Sequence, residues 1–358
     1  MLKTLTQQLL DRLLASPWMR QAMWRNAQDL FAVPRQGPAA SLPAYERPPA
    51  RYALGQASVT SGDDTPPPIF ITARFRSGST LLWNLFRHLP GHTAYYEPLN
   101  ERGWFREENE NRETDATHLG VANYAAEYRG MPELESWFSE NWGYRQLFMD
   151  EAYPAPELYS YISTLITRAP GRPVLQFNRV DFRLRWLRAR FPRARLLHLY
   201  RCPRDQWVST LRGNNTVDRA ARLDSFADHD RFYLLPWLRD LATVYPCLNL
   251  PGDWHPYAGH YLLWRLSWLH GRQYADASIA YEALIDDVAG SLAALAGPLG
   301  LGQIDPAPLQ KLIQGDTAPR WPRHAEAAWF EGIETECEAL LASYLIPPAV
   351  PCPKLILD

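Results

Sequence analysis

The chain has 358 residues, 46% of them hydrophobic and 13% aromatic, with 14 Trp and a formal net charge of -2. That composition excludes a disordered chain, a disulfide-stapled minidomain, and a protein held to nucleic acid by a global excess of basic charge. Cys202, Cys247, Cys337 and Cys352 lie 45, 90 and 15 positions apart, which matches neither a zinc-ligand spacing nor a compact secreted framework, so a reducing compartment is expected.

Of the 37 basic residues only Lys3, Lys311 and Lys354 are lysine. Any anion site in the middle of the chain must therefore be built from Arg. The longest apolar stretches are broken by Arg, Pro or Asp before 18 residues, and the first 31 residues lack an uninterrupted apolar core with a small-residue cleavage site. No transmembrane segment and no signal peptide are expected.

Taken in chain order, residues 2–31 place Leu2, Leu5, Leu9 and Leu13 at three- and four-residue steps, followed by Trp18, Met19, Ala22 and Met23. This predicts one or two amphipathic helices whose apolar face packs on the same chain; a homodimer or peripheral membrane contact is the other use of such a face. Residues 34–68 carry eight prolines, ending in Pro66-Pro67-Pro68, and read as an extended strap. Residues 1–68 are thus helix and strap, and 69–358 one domain.

The apolar run 69–73 predicts a strand, 74–79 a glycine-containing loop, and 80–89 a helix. The pattern repeats with a strand at 174–177 and a helix at 182–191, then a strand at 195–200 leading into a helix at about 204–211. A last strand is predicted at 278–281, with a helix behind it at 285–299. Strands alternating with helices predict an α/β fold with a central parallel sheet and ligands at the carboxyl ends of its strands. Two insertions, at about 101–170 and 213–265, are rich in Trp, Tyr and Phe and too long for simple crossovers. They are expected to form the acceptor side of a site.

The segment Arg74-Phe75-Arg76-Ser77-Gly78-Ser79-Thr80-Leu81 sits where the first strand turns into a helix. Backbone N–H groups, the helix dipole and the hydroxyls of Ser77, Ser79 and Thr80 can face one anion there, with Arg76 as a forked charged donor. The bland alternative is that Ser77 and Thr80 cap the helix while Gly78 makes the turn. No Gly-x-x-x-x-Gly-Lys-Ser/Thr occurs, which weakens a kinase or NTPase reading. A second strand-to-helix passage runs from Leu196 through Arg201, Pro203 and Ser209. Arg201 at the strand end and Ser209 about two helical turns on can converge on a second phosphate, so the pair points to a ligand with two phosphate-like ends.

Arg76-Ser77-Gly78-Ser79-Thr80 resembles the 5′-phosphosulfate loop of sulfotransferases that use 3′-phosphoadenosine 5′-phosphosulfate. The segment from Arg201 to Ser209 resembles their 3′-phosphate segment, with Arg and Ser at the same spacing. Phe191-Pro192-Arg193-Ala194, Tyr281-Glu282-Ala283-Leu284, Leu299-Gly300-Leu301 and Arg320-Trp321 agree, so the resemblance spans about 69–345. It implies a P-loop-like three-layer domain. The family's usual Asp or Asn after the second-site Arg is Cys202 here, and the loop Lys of its cytosolic branch is Arg76, as in the carbohydrate and tyrosylprotein branches.

The resemblance implies in-line transfer of a sulfuryl group to a hydroxyl, leaving 3′,5′-adenosine bisphosphate. Arg76 and the amides from Ser77 to Leu81 would stabilise the leaving phosphate, and no metal is expected because the transferred group carries one charge fewer than a phosphoryl group. Arg320 and Trp321 would close over the 3′-phosphate and adenine. Glu97, in Tyr95-Tyr96-Glu97-Pro98, resembles the Glu of a Tyr-Glu-Pro segment in carbohydrate sulfotransferases and is the expected base; the alternative is a structural carboxylate paired with Arg102 or Arg76. His92 and His198 are outside candidates for that role, and Arg179 is expected near sulfate or acceptor. Trp104, Trp137, Trp142, Trp237, Trp254 and Tyr257 supply aromatic surface for an acceptor or for the core.

The expected acceptor is a carbohydrate or glycolipid hydroxyl, with protein tyrosine or a small phenol or alcohol as the alternative. From another class, a P-loop nucleotide kinase or a non-catalytic nucleotide-binding protein would use the same two anion sites. A donor made in the cytosol places the protein in the cytoplasm, peripheral to a membrane if the N-terminal helix binds one. No nucleic-acid partner is expected.

Overall fold

Five short runs become the strands of a single parallel sheet. A computed structural model describes residues 66–344 except 111, 116–117, 119, 212–216 and 314–317. The predicted N-terminal helices, the strap up to residue 65, and Cys352 lie outside the described residues. The strands are β1 (Ile69–Ala73), β2 (His92–Tyr96), β3 (Arg172–Phe177), β4 (Arg195–Tyr200) and β5 (Ala277–Ala280), in the order β2-β3-β1-β4-β5. Ile69 is in register with Val174 on one side and Arg195 on the other. All five residues of β1 are buried, the continuous apolar run expected of a central parallel strand covered on both faces.

Helix α1 (Ser79–Arg87) carries the chain from β1 to β2, α2 (Pro156–Arg168) precedes β3, and α3 (Leu184–Arg190) joins β3 to β4. The step from β1 to β2 runs opposite to the step from β3 to β4, so right-handed crossovers put α1 and α3 on opposite faces. Helices α4 (Pro203–Thr210), α5 (Leu234–Leu241) and α6 (Pro256–Tyr274) lead to β5. After it come α7 (Tyr281–Asp286), α8 (Val288–Leu299), α9 (Ala307–Gln310) and α10 (Ala327–Ala342). One apolar cluster is built on the sheet with α1, α2 and α8. A second, rich in Trp and Tyr, gathers α5, α6 and α10.

The parallel α/β architecture expected from the alternation is present. Strand β2 was not legible in the sequence: His92-Thr93-Ala94-Tyr95-Tyr96 has no apolar run, and its buried residues are Ala94, Tyr95 and Tyr96, the two tyrosines on opposite faces of the sheet. The helix predicted over 285–299 is divided at Asp287, whose Oδ1 accepts from Gly290 N at 2.8 Å and starts α8 as its N-cap. The end of the strap is fixed by strand residues, with Arg172 Nε donating to Pro67 O at 2.7 Å and Arg195 N to Pro68 O at 2.8 Å. Much of the first insertion has 3-10 turns instead of long elements. Arg183, with no exposed surface, organises it by donating to the carbonyls of Trp142, Arg145, Gln146 and Arg179. Burial lowers the Arg183 pKa to about 10, and four carbonyls replace the water that its donors lose.

Candidate active site

The residues that directly follow four of the strands, Glu97 after β2, Asn178 after β3, Arg201 after β4 and Tyr281 after β5, line one cleft of about 790 Å³. The loop after β1 adds Phe75, Arg76 and Gly78. Placement at the carboxyl ends of parallel strands follows from the topology, because the crossover helices leave that edge open where the strand order reverses.

Two residues of the β1 loop have left-handed backbones, Arg76 at φ 65° and Gly78 at φ 89°. Gly78 is required twice over, since a Cβ on it would lie 2.1 Å from Tyr281 Cδ2. As the residue before α1 it offers no side-chain cap, so the first-turn N–H groups are left to a ligand. Arg76, Gly78, Ser79, Thr80 and Leu81 line the cleft. Ser77 does not; it is buried and its hydroxyl donates to Arg74 O at 2.6 Å.

The two anion motifs meet. Arg76 Nε donates to Ser209 Oγ at 3.1 Å, and Arg201 Nη1 donates to Arg76 O at 3.3 Å. The Arg201 guanidinium lies 4.7 Å over the Tyr281 ring, and its Nε is buried with no hydrogen-bond partner. An orphaned guanidinium N–H and an uncapped helix start are the donors that a ligand with two anionic ends would satisfy. Arg320 lines the same cleft, its backbone N held by Asp205 Oδ1 at 2.7 Å. Trp321 is not brought in: its ring packs under the Arg204 guanidinium at 4.9 Å and edge-on to Phe330 at 5.5 Å, in the second apolar cluster.

Glu97 is buried at φ 39°, another non-glycine residue held in the left-handed region, where strain collects at functional sites. Its Oε2 accepts from Asn100 Nδ2 at 2.6 Å and Arg179 Nη1 at 3.0 Å, and its Oε1 from Asn178 Nδ2 at 2.5 Å. The ion-pair partner is thus Arg179, not Arg102 or Arg76. Arg179 is 3% exposed and bridges to Glu101 Oε2 at 2.7 Å, so both ends of its fork are committed to carboxylates. Burial would raise the Glu101 carboxyl, but the Arg179 guanidinium and the Tyr233 hydroxyl outweigh it and hold the group below its ordinary range. Burial and the adjacent Glu97 push the Tyr96 phenol well above its ordinary range, so it stays a neutral hydroxyl, 3.1 Å from Thr80 Oγ1.

Both insertions reach the cleft, the first through Arg102, Trp104, His118 and Tyr124 and the second through Arg231, Phe232 and Tyr233. Among the described lining residues seven arginines face four carboxylates. Of the six aromatic residues singled out in the sequence, Trp104 lines the cleft, Trp142, Trp237 and Tyr257 are buried core, Trp254 packs partly buried against the second apolar cluster, and Trp137 is 39% exposed at the surface. His92 and His198 lie outside it; His198 is buried in β4 against Ser278 Oγ at 2.8 Å. His118 is inside, hydrogen-bonded to the Tyr124 hydroxyl at 2.5 Å, and nothing in its sequence context marks it. Asn178 was also unmarked, since its amide has chemistry here only through Glu97, 81 positions away in sequence. Among the described residues no group of three or more His, Cys, Asp or Glu is placed to hold a metal ion, and no described helix is long and apolar enough to cross a membrane.

No curated protein matches the chain. Among solved structures, the sulfotransferase domain from the curacin biosynthetic pathway is 15% identical, with 79% of this chain and 100% of that chain covered and a TM-score of 0.39. The sulfotransferase domain from the Synechococcus PCC 7002 olefin synthase is 19% identical over 82% of this chain and 98% of that one, with a TM-score of 0.37. A sulfotransferase from Mycobacterium tuberculosis H37Rv is 18% identical over 78% and 77%, with a TM-score of 0.36. The model of the sulfotransferase family matches residues 67–248, half of the chain, including both anion motifs and Glu97. On that match the chain belongs to the sulfotransferase family.

Proposed function

We propose that this sulfotransferase takes its sulfuryl group from 3′-phosphoadenosine 5′-phosphosulfate and delivers it to a hydroxyl of a carbohydrate or glycolipid. The observation that carries the donor is the contact between the two anion motifs: Arg76 with Ser209, and Arg201 with the Arg76 carbonyl. One ligand spanning that contact has to present two anionic groups, and a bisphosphorylated nucleotide does. Ser79, Thr80, Leu81, the α1 N-terminus and Arg76 would hold the 5′ end. Arg201, Ser209 and Arg320 would hold the 3′-phosphate.

When bound, the donor supplies an activated sulfuryl group on its 5′-phosphate. Arg76 stabilises the charge that collects on that phosphate as the bond breaks. Glu97, held by Asn100, Asn178 and Arg179, accepts the proton of the acceptor hydroxyl. Arg179, which also lines the cleft, fixes the direction of that carboxylate. The cleft as a whole presents more polar than apolar surface, with Glu101, Arg102, Arg112 and Glu113 among its lining residues, which favours a polyhydroxylated acceptor over a phenol.

Calorimetry with 3′,5′-adenosine bisphosphate is expected to show metal-independent binding that Arg201→Ala weakens about tenfold or more, the scale of a charge-assisted contact. A preference for ADP or ATP with Mg²⁺ would overturn the donor assignment. With the donor established, a panel of sugar, tyrosine-peptide and phenol acceptors tests the rest. Sugar sulfation abolished in Glu97→Gln supports the reading, and sulfation of the phenols or peptides alone replaces it.

A further inference from the structure

Three successive carbonyls of the β1 loop are each pinned by a side chain. Arg74 O accepts from Ser77 Oγ at 2.6 Å, Phe75 O from Gln206 Nε2 at 2.5 Å, and Arg76 O from Arg201 Nη1 at 3.3 Å. Two of those three donors, Arg201 and Gln206, belong to the second anion motif. Gln206 is 1% exposed and does not line the cleft. It sits on α4 one turn before Ser209, which accepts from the Arg76 side chain.

A peptide plane has its carbonyl and its N–H on opposite edges, so a carbonyl fixed toward the protein directs the N–H of the next residue the other way. Fixing the Phe75 carbonyl therefore fixes the orientation of the Arg76 amide, and with it the left-handed turn at Arg76. That turn has no glycine to make it inexpensive. Its conformation has to be maintained from outside the loop, and Gln206 is a buried donor able to do so.

We propose that Gln206 is a positioning residue that shapes the 5′-end loop from within the 3′-end segment, so that the two halves of the donor site are coupled. The inference rests on the donor reading given above. Gln206 touches no ligand in it. The α4 helix that presents Ser209 to the 3′-phosphate also holds the Phe75 carbonyl through Gln206, so one helix carries a contact to each half of the site.

The test is calorimetry with adenosine 5′-monophosphate, adenosine 3′-monophosphate and 3′,5′-adenosine bisphosphate on the full chain and on Gln206→Leu, with Gln206→Glu as a second variant that keeps the size but loses the amide donor. Each variant is expected to lose about tenfold in affinity for the 5′-monophosphate and the bisphosphate, as for a lost buried hydrogen bond. The 3′-monophosphate should bind within twofold of wild type. Equal losses for both monophosphates, or no loss for either, would overturn the positioning role. Failure of wild type to bind any of the three nucleotides would instead overturn the donor reading. If Gln206→Leu does not fold, the same readings are taken on Gln206→Glu.

Discussion

Arg76 Nε and the Ser209 hydroxyl, 133 positions apart in the chain, meet at 3.1 Å. The bond ties the charged side chain of the first anion loop to the second anion helix and fixes the direction of the Arg76 fork before any ligand arrives. Ser209→Ala removes the acceptor while leaving the helix intact, because Ala is the better helix former. Affinity for 3′,5′-adenosine bisphosphate should fall by about 1 kcal/mol, roughly five- to tenfold, with the unfolding midpoint nearly unchanged. Calorimetry and urea titration on the same preparation check both halves of that statement.

Gly78 and Gly91 both have left-handed backbones, at φ 89° and 74°, but only Gly78 has a neighbour in the way. Gly91→Ala pays backbone strain alone, about 1 kcal/mol. Gly78→Ala pays that strain and also drives a Cβ into the Tyr281 ring, so it should cost roughly 1–3 kcal/mol more and weaken nucleotide binding by displacing Tyr281 from under Arg201. Equal destabilisation of the two variants would show that the ring moves aside freely.

Arg204 and Glu334 form a two-pronged pair at 2.8 and 2.7 Å, with the Tyr257 hydroxyl donating to Glu334 at 2.6 Å. The pair docks α10 on α4 and α6, and the guanidinium lies against both the Trp321 and the Phe330 rings. Breaking a buried pair from one side leaves an uncompensated charge, so Glu334→Gln should cost about 3 kcal/mol or more. A loss of stability near zero in urea unfolding would mean that α10 is not anchored this way.

His198 and His260 are buried and both held neutral, with pKa values pushed down to about 3, by burial first and then by Arg272 and Arg74 respectively. In the unfolded chain each titrates near 6.5. As pH falls below 6.5 the unfolded chain takes up two protons that the folded one refuses, so the stability these residues contribute is full above 6.5 and is lost toward pH 3. The loss is about 1.4 kcal/mol per pH unit for each histidine. Urea unfolding at pH 7.5, 6.5 and 5.5 should show the decline, and His198→Asn should reduce its slope by up to one proton. An unchanged slope in the variant would sink the assignment.

The sequence by itself determined the alternation of strand and helix, because continuous apolar runs such as 69–73 and 195–200 can be satisfied only inside a doubly covered parallel sheet. It also marked the two strand-to-helix passages proposed to hold anions, since Arg76, Gly78 and Ser79 in the first and Arg201 and Ser209 in the second set local donors and charge whatever the rest of the chain does. Glu97 was legible through its neighbours Tyr96 and Pro98, although the strand that presents it was not. Only the tertiary structure decided what lies beside what. The order β2-β3-β1-β4-β5 puts Glu97, Asn178, Arg201 and Tyr281 at one edge, assigns Arg179 and not Arg102 to Glu97, sends the Trp321 ring into the core, and brings Gln206 to the Phe75 carbonyl. Those contacts join residues tens to more than a hundred positions apart. Local propensity carries no record of them, because they are selected by the burial of whole faces and not by the preferences of any single segment.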